Sequence, residues 1–143
     1  MMGLRFTYFP TSTLPRLHSI VWCRIPEDDG SPGLHVRPAL VRSTKRDPTT
    51  NRGAVWVSYG TANLNIPKSN AVDLVIQNYE RLRQLGLPHA VRFDLGLFNW
   101  LPWCSEFFCP PEESAHILAG ILKPHELTSL RNKLRQRGVI PEL

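Results

Sequence analysis

Thirteen prolines and nine glycines are spread along the whole of this 143-residue chain. Each proline removes a backbone donor, and each glycine weakens the interior of a helix or strand. The chain must therefore be built from many short elements rather than a helical bundle. Between these punctuation points lie β-rich runs. Residues 18–25 form a first strand closed by Pro26, and residues 27–33 form a polar loop. Residues 37–43 form a second strand opened by Arg37-Pro38, since proline is tolerated at a strand's first position. Residues 44–52 read as a basic turn segment. Residues 53–59 form a third, central strand in which Val55 and Val57 alternate with Trp56 and Ser58.

The second half is less regular. In residues 71–85, Val72, Val75, Ile76, Tyr79 and Leu82 fit a helical stripe between an Asn70 cap and a Gly86 stop. The same residues serve equally as a strand over 72–76 feeding a short helix over 78–85. Residues 90–94 and 97–101 read as two strand pieces around Gly96. An aromatic loop follows over 103–109, and a last short strand over 116–120. The clearest helix spans residues 124–137. Pro124 occupies its first position, Leu127, Leu130 and Leu134 form its stripe, and Gly138 stands past its end. Arg131, Lys133, Arg135 and Arg137 crowd its final turns, where the macrodipole favours cations. Residues 1–16 form an extended N-terminal arm whose order the sequence leaves open, and residues 17–143 form a single domain. Short strands with one terminal helix predict a mainly β (α+β) fold, a small barrel with a C-terminal helix.

Length sets further bounds. A chain of this size buries about two-thirds of its unfolded surface, so its core needs no metal or disulfide. Cys23, Cys104 and Cys109 are odd in number and show no paired framework, which fits a reducing compartment. No apolar run reaches membrane-spanning length, and the first residues lack the apolar core of a secretory signal, so a soluble cytoplasmic protein is expected. Cys104 and Cys109, with His116 and His125 downstream, make one loose pair where structural zinc favours doubled tight pairs. Nucleophile-elbow and phosphate-loop motifs are absent, and no cofactor is expected. Carboxylates are few, so the chemistry expected is metal-free.

Basic residues remain. The chain carries 17 lysines and arginines against 12 acids, a net charge of +5 that favours a polyanionic partner. Arg37, Arg42, Lys45, Arg46 and Arg52 fall close together and flank Trp22, Trp56 and Tyr59. Cations beside stacking faces are what single-stranded nucleic acid requires. The competing reading makes the charges a solvated turn and the aromatics core.

Several phrases in succession resemble one family. S-I-V-W-C-R-I-P (residues 19–26), H-V-R-P-A-L-V (35–41) and A-V-W-V-S-Y-G-T (54–61) resemble the first three strands of MazF/PemK toxins. R-F-D-L-G (92–96), L-P-W (101–103) and L-K-P-H-E-L (122–127) resemble a later strand and the start of the terminal helix. The match runs in order from about residue 17 to residue 137. The resemblance implies an SH3-like barrel, usually a homodimer. It also implies a bacterial, cytoplasmic endoribonuclease that cuts single-stranded RNA (mRNA) without metal and is restrained by an antitoxin protein. In that scheme the ribose 2′-OH attacks the adjacent phosphate, giving a 2′,3′-cyclic phosphate and a 5′-OH.

Carried across, Arg37 matches the arginine of the Arg-Pro motif and would stabilise the charged phosphate, a task suited to a planar, permanently charged guanidinium. Thr61 matches a threonine that orients the 2′-OH or phosphate, with Ser58 as the fallback if the alignment slips. Arg92 and Asp94 match an acid–base pair, and alternate strand positions point both to one face. The resemblance makes His35 a helper and Ser58 a further RNA contact, while the cluster of cations and aromatics adds Arg42, Lys45, Arg46 and Tyr59 to the expected RNA contacts. The pattern also has departures: His18-Ser19 stands where Gly-Asp is common, and S-P-G-L replaces the usual Gly-Ser-Glu of the first loop. Two alternatives stay open, a gyrase-poisoning barrel of the CcdB type and an RNA-binding barrel without cleavage.

Overall fold

The computed structural model describes residues 5–64 and 72–138. Among the described residues, six antiparallel strands form one sheet: β1 (Ser19–Pro26), β2 (Pro32–Asp47), β3 (Arg52–Thr61), β4 (Leu74–Ile76), β5 (Val91–Pro102) and β6 (Leu118–Ile121). Their order across the sheet is β4-β5-β3-β2-β1-β6. Among the described residues, two α-helices accompany the sheet, α1 (Tyr79–Leu85) and α2 (Pro124–Gln136), with a single 3-10 turn at Thr11–Thr13. The expected mainly β fold with a terminal helix is therefore the fold adopted, with one qualification. The sheet is not closed, since β4 and β6 stand at opposite ends with no ladder between them.

The helices bridge that seam by exchange. α1 follows β4 yet packs on β6, and α2 follows β6 yet packs on β4. The buried Arg81 of α1 ties the seam. It donates from Nε to Glu126 Oε2 at 2.7 Å, and from Nη2 to Glu126 Oε1 and the Ile121 carbonyl, each at 2.8 Å. Glu126 also accepts the Lys123 N–H at 2.8 Å, which fixes the start of α2.

Alternation along the strands creates two faces, each with its own core. On the helix face, Ile20, Leu40, Phe93 and Leu95 pack with Leu74, Ile76, Leu130 and Leu134. On the other, Val21, Val41, Val55 and Val57 pack with Leu101, Trp103, Phe107 and Phe108. Phe6, Phe9 and Leu14 of the N-terminal arm cover this second core. The arm is fastened by the Phe9 N–H to the Trp103 carbonyl and by Trp103 Nε1 to Thr13 Oγ1, both 3.0 Å.

Residues 71–85 resolve, over their described part from residue 72, as a strand followed by a helix. Asn78 caps α1 by accepting the Arg81 N–H at 3.0 Å, and Gly86 ends it in the left-handed region at φ 67°. Asn70, read as a cap for a longer helix, lies outside the described residues. Three expectations need adjustment. The basic segment 44–52 is mostly strand, because β2 runs on to Asp47 and turns only there. The pieces expected at 90–94 and 97–101 are one strand, which passes Gly96 through an irregularity. Trp22 belongs to the helix-face core at 7% exposure and offers no stacking surface. Among the described residues, no helix is long and apolar enough to cross a membrane.

Candidate functional site

On the arm face, beyond the cover provided by the arm, the sheet is left open. There β2, β3 and β5 enclose a cleft of about 450 Å³ lined by Arg37, Tyr59, Thr61, Arg92, Asp94 and Asn99, with Ile25 and Leu97 as apolar walls. Strand pairing explains the convergence. Arg37 lies opposite Cys23, Ala39 opposite Tyr59, and Thr61 opposite Arg92, so their side chains share one face. Gly60 lies between these strands; a Cβ there would stand 2.7 Å from Val91 Cγ2 and 2.9 Å from the Pro38 carbonyl oxygen.

The two cleft arginines differ sharply in their surroundings. Arg37 is exposed, and the ion pairs formed among the described residues involve other arginines. Arg92 is 4% exposed. Its Nη1 donates to Asp73 Oδ2 at 2.8 Å and its Nε to the Asn63 carbonyl at 3.0 Å. Asp94 Oδ2 lies 3.7 Å from Arg92 Nη1, and Asp94 Oδ1 accepts the Gly96 N–H at 3.0 Å. Arg92 is thus anchored mainly by Asp73, and Asp94, whose side chain is one-third exposed, keeps a carboxylate edge toward solvent.

The hydroxyls are likewise distinct. Thr61 Oγ1 accepts the Asn63 N–H at 3.2 Å, so its own proton is available to a ligand. Tyr59 is buried, its hydroxyl accepts from Asn99 Nδ2 at 3.3 Å, and burial pushes its pKa up to about 12. At neutral pH that phenol is a proton-bearing donor.

The remaining residues singled out from sequence do not gather here. His35 is exposed on β2 and does not line the cleft. Ser58 is fully buried on the helix face, where its hydroxyl accepts from Arg42 Nη1 at 3.0 Å. Arg42 and Lys45 also belong to the helix face, over the rings of Trp56 and Trp100. Arg46 is exposed opposite Gly53, near the turn after β2. Among the described residues, no three histidine, cysteine or acidic side chains come together as metal ligands do.

Sequence reasoning missed Asp73. Buried at 3% exposure, it accepts from Arg92, from the Leu95 N–H at 3.1 Å, and from Arg137 of the terminal helix. Its one signal was an acid set inside the apolar run from Val72 to Ile76. Arg137, expected to serve only the helix dipole, instead reaches Asp73 and donates from Nε to the Val72 carbonyl at 2.7 Å.

No family model matches the chain, and no curated protein matches its sequence significantly.

Proposed function

We propose that this protein is a toxin of the MazF/PemK type, a metal-independent endoribonuclease that cuts single-stranded RNA in the β2–β3–β5 cleft. One observation carries the reading: Arg37 of β2, Thr61 of β3, and Arg92 and Asp94 of β5 line the same cleft. In the proposed reaction Asp94 takes the 2′-OH proton as that oxygen attacks the adjacent phosphorus. Arg37 balances the charge gathering on the non-bridging oxygens. The P–O5′ bond breaks, and the leaving oxygen takes a proton from solvent, giving a 2′,3′-cyclic phosphate and a 5′-OH. Thr61 donates a hydrogen bond to the phosphate. Arg92 positions Asp94 and adds positive potential, while its ion pair with Asp73 keeps it in place. In this reading the chain acts as a homodimer in the bacterial cytoplasm and is held in check by an acidic antitoxin.

The burial of Arg92 against Asp73 also supports a second reading, a barrel that binds RNA without cutting it, because among the described residues lining the cleft it leaves Arg37 as the exposed cation. Incubation of a long RNA with the purified protein in EDTA separates the two. Discrete fragments with 5′-OH ends that vanish with Arg37→Ala support cleavage. Intact RNA at high protein concentration refutes it, and salt-sensitive retention of that RNA identifies the binder.

A further inference from the structure

The cleft leaves unexplained a second surface, on the helix face of the sheet over β3 and β5. Trp56 and Trp100 face each other across β3 and β5, as do Ser58 and Phe98. The result is a continuous patch of three rings. Trp56 and Trp100 stack with centroids 5.8 Å apart and planes 21° from parallel, and Phe98 meets Trp56 edge-on at 4.6 Å. Trp100 and Phe98 are 42% and 45% exposed. Large aromatics left open to water on a strand pair are costly unless something covers them.

What could cover them is indicated by the charge around the rings. Lys45 Nζ sits 4.2 Å from the Trp100 centroid, and the Arg42 guanidinium carbon 5.6 Å from that of Trp56. The ion pairs among the described residues include neither cation. Carboxylates on nearby segments are engaged elsewhere, Asp73 by Arg92 and Arg137, and Asp47 by the Thr49 N–H. Burial first, and then the Arg131 and Arg42 guanidiniums, hold the neighbouring His18 below its ordinary pKa. Stability alone does not account for the indole at position 56. Its Nε1 is buried with no hydrogen-bond partner, a cost that phenylalanine would not carry.

We propose that this patch is a stacking platform for single-stranded nucleic acid, with bases on Trp100 and Phe98 and phosphates on Lys45 and Arg42. A polyanion that also carries flat apolar groups meets both features of the surface at once, whereas an uncharged apolar partner would leave the cations unpaired. Lys45 is exposed on a flexible stem and exchanges its ring contact for a phosphate. The platform lies on the opposite face from the cleft and does not depend on any cleavage there.

The test uses oligonucleotides that cannot be cut by 2′-OH attack, so that binding and cleavage fail separately. Fluorescein-labelled 2′-O-methyl oligouridylate and oligodeoxythymidylate twelve-mers are titrated with the full-length protein and followed by anisotropy and by tryptophan quenching. The expected result is binding of both strands that weakens steeply with salt and persists in Arg37→Ala. Trp100→Ala and Lys45→Glu should each weaken it roughly tenfold or more. Trp56→Phe keeps the packing and should weaken it by a smaller factor without lowering the unfolding midpoint. Wild-type affinity in both Trp100→Ala and Lys45→Glu overturns the proposal, as does binding that disappears with Arg37→Ala alone. A concentration-dependent dimer in gel filtration that Trp100→Ala dissolves also overturns it, by assigning the patch to a second copy of the chain.

Discussion

Asp73→Asn tests the structural claim on which the cleft depends. Both carboxylate oxygens are in use: Oδ2 accepts from Arg92, and Oδ1 accepts from the Leu95 N–H and from Arg137. Asparagine is nearly isosteric, but it replaces one acceptor with an NH₂ donor that must face another donor. The side chains of Arg92 and Asp73 are only 5% and 4% exposed, so the arginine loses its buried counter-charge without gaining water. Breaking one side of such a pair costs about 3–5 kcal/mol. For a chain of this length that corresponds to a fall of roughly 6–20 °C in the unfolding midpoint, at about 2–4 °C per kcal/mol. The assay is thermal unfolding of the purified variant by circular dichroism, beside Asp94→Asn as a control with a part-exposed carboxylate. A drop under about 1 kcal/mol in Asp73→Asn would place it with ordinary surface pairs and refute the buried-anchor reasoning. An equal drop in both variants would refute the distinction drawn between the two acids.

Other outcomes follow from the same geometry. Arg37→Ala should leave stability within about 0.5 kcal/mol of wild type, since the side chain is exposed, while abolishing any RNA cleavage; urea midpoints and fragment analysis check the two halves. Gly60→Ala should destabilise by about 1–3 kcal/mol, because the new methyl meets Val91 and the Pro38 carbonyl, and the urea midpoint reports it. Burial pushes the Glu126 carboxyl up, but hydrogen bonds from Arg81 and the Lys123 N–H outweigh it and hold its pKa below the ordinary 4.5. Its stabilisation is therefore complete above pH 4.5 and lost as pH falls through the lower folded value. Glu126→Gln should flatten part of that acid loss, and parallel pH curves for variant and wild type would contradict the assignment.

The sequence carried most of the architecture because proline, glycine and capping chemistry act locally. Asn78 and Gly86 mark the ends of α1 by the side-chain cap and the left-handed turn they supply. Arg37, Thr61, Arg92 and Asp94 were singled out through the resemblance to MazF/PemK toxins, and alternation along one strand added only that Arg92 and Asp94 share a face. The scatter of the other basic residues was not legible in the sequence. Strict alternation along β2 sets Arg37 and Lys45 on one face and Arg42 on the other. An irregularity between Val41 and Ser43 inserts one residue, so that Lys45 joins Arg42 over the aromatic patch and Arg46 takes the opposite side. A bulge depends on the partner strand's register, which no local pattern announces. Asp73 escaped for a similar reason: its partners Arg92 and Arg137 lie 19 and 64 residues away.

The exchange of helices across the open seam has a consequence for how the chain reaches its native state. Arg81 and Glu126 are separated by 45 residues, and each helix finds its packing surface on the strand at the far end of the sheet. Hairpins such as β1–β2 and β2–β3 join neighbours in sequence and can form early. The seam rewards nothing until both edge strands are in place, so its loop-closure entropy falls at the end of the pathway. Substitutions at Arg81 or Glu126 should therefore speed unfolding while barely changing the refolding rate. The clasp then acts as a latch on a finished sheet, governing how long the native molecule persists rather than how quickly it forms.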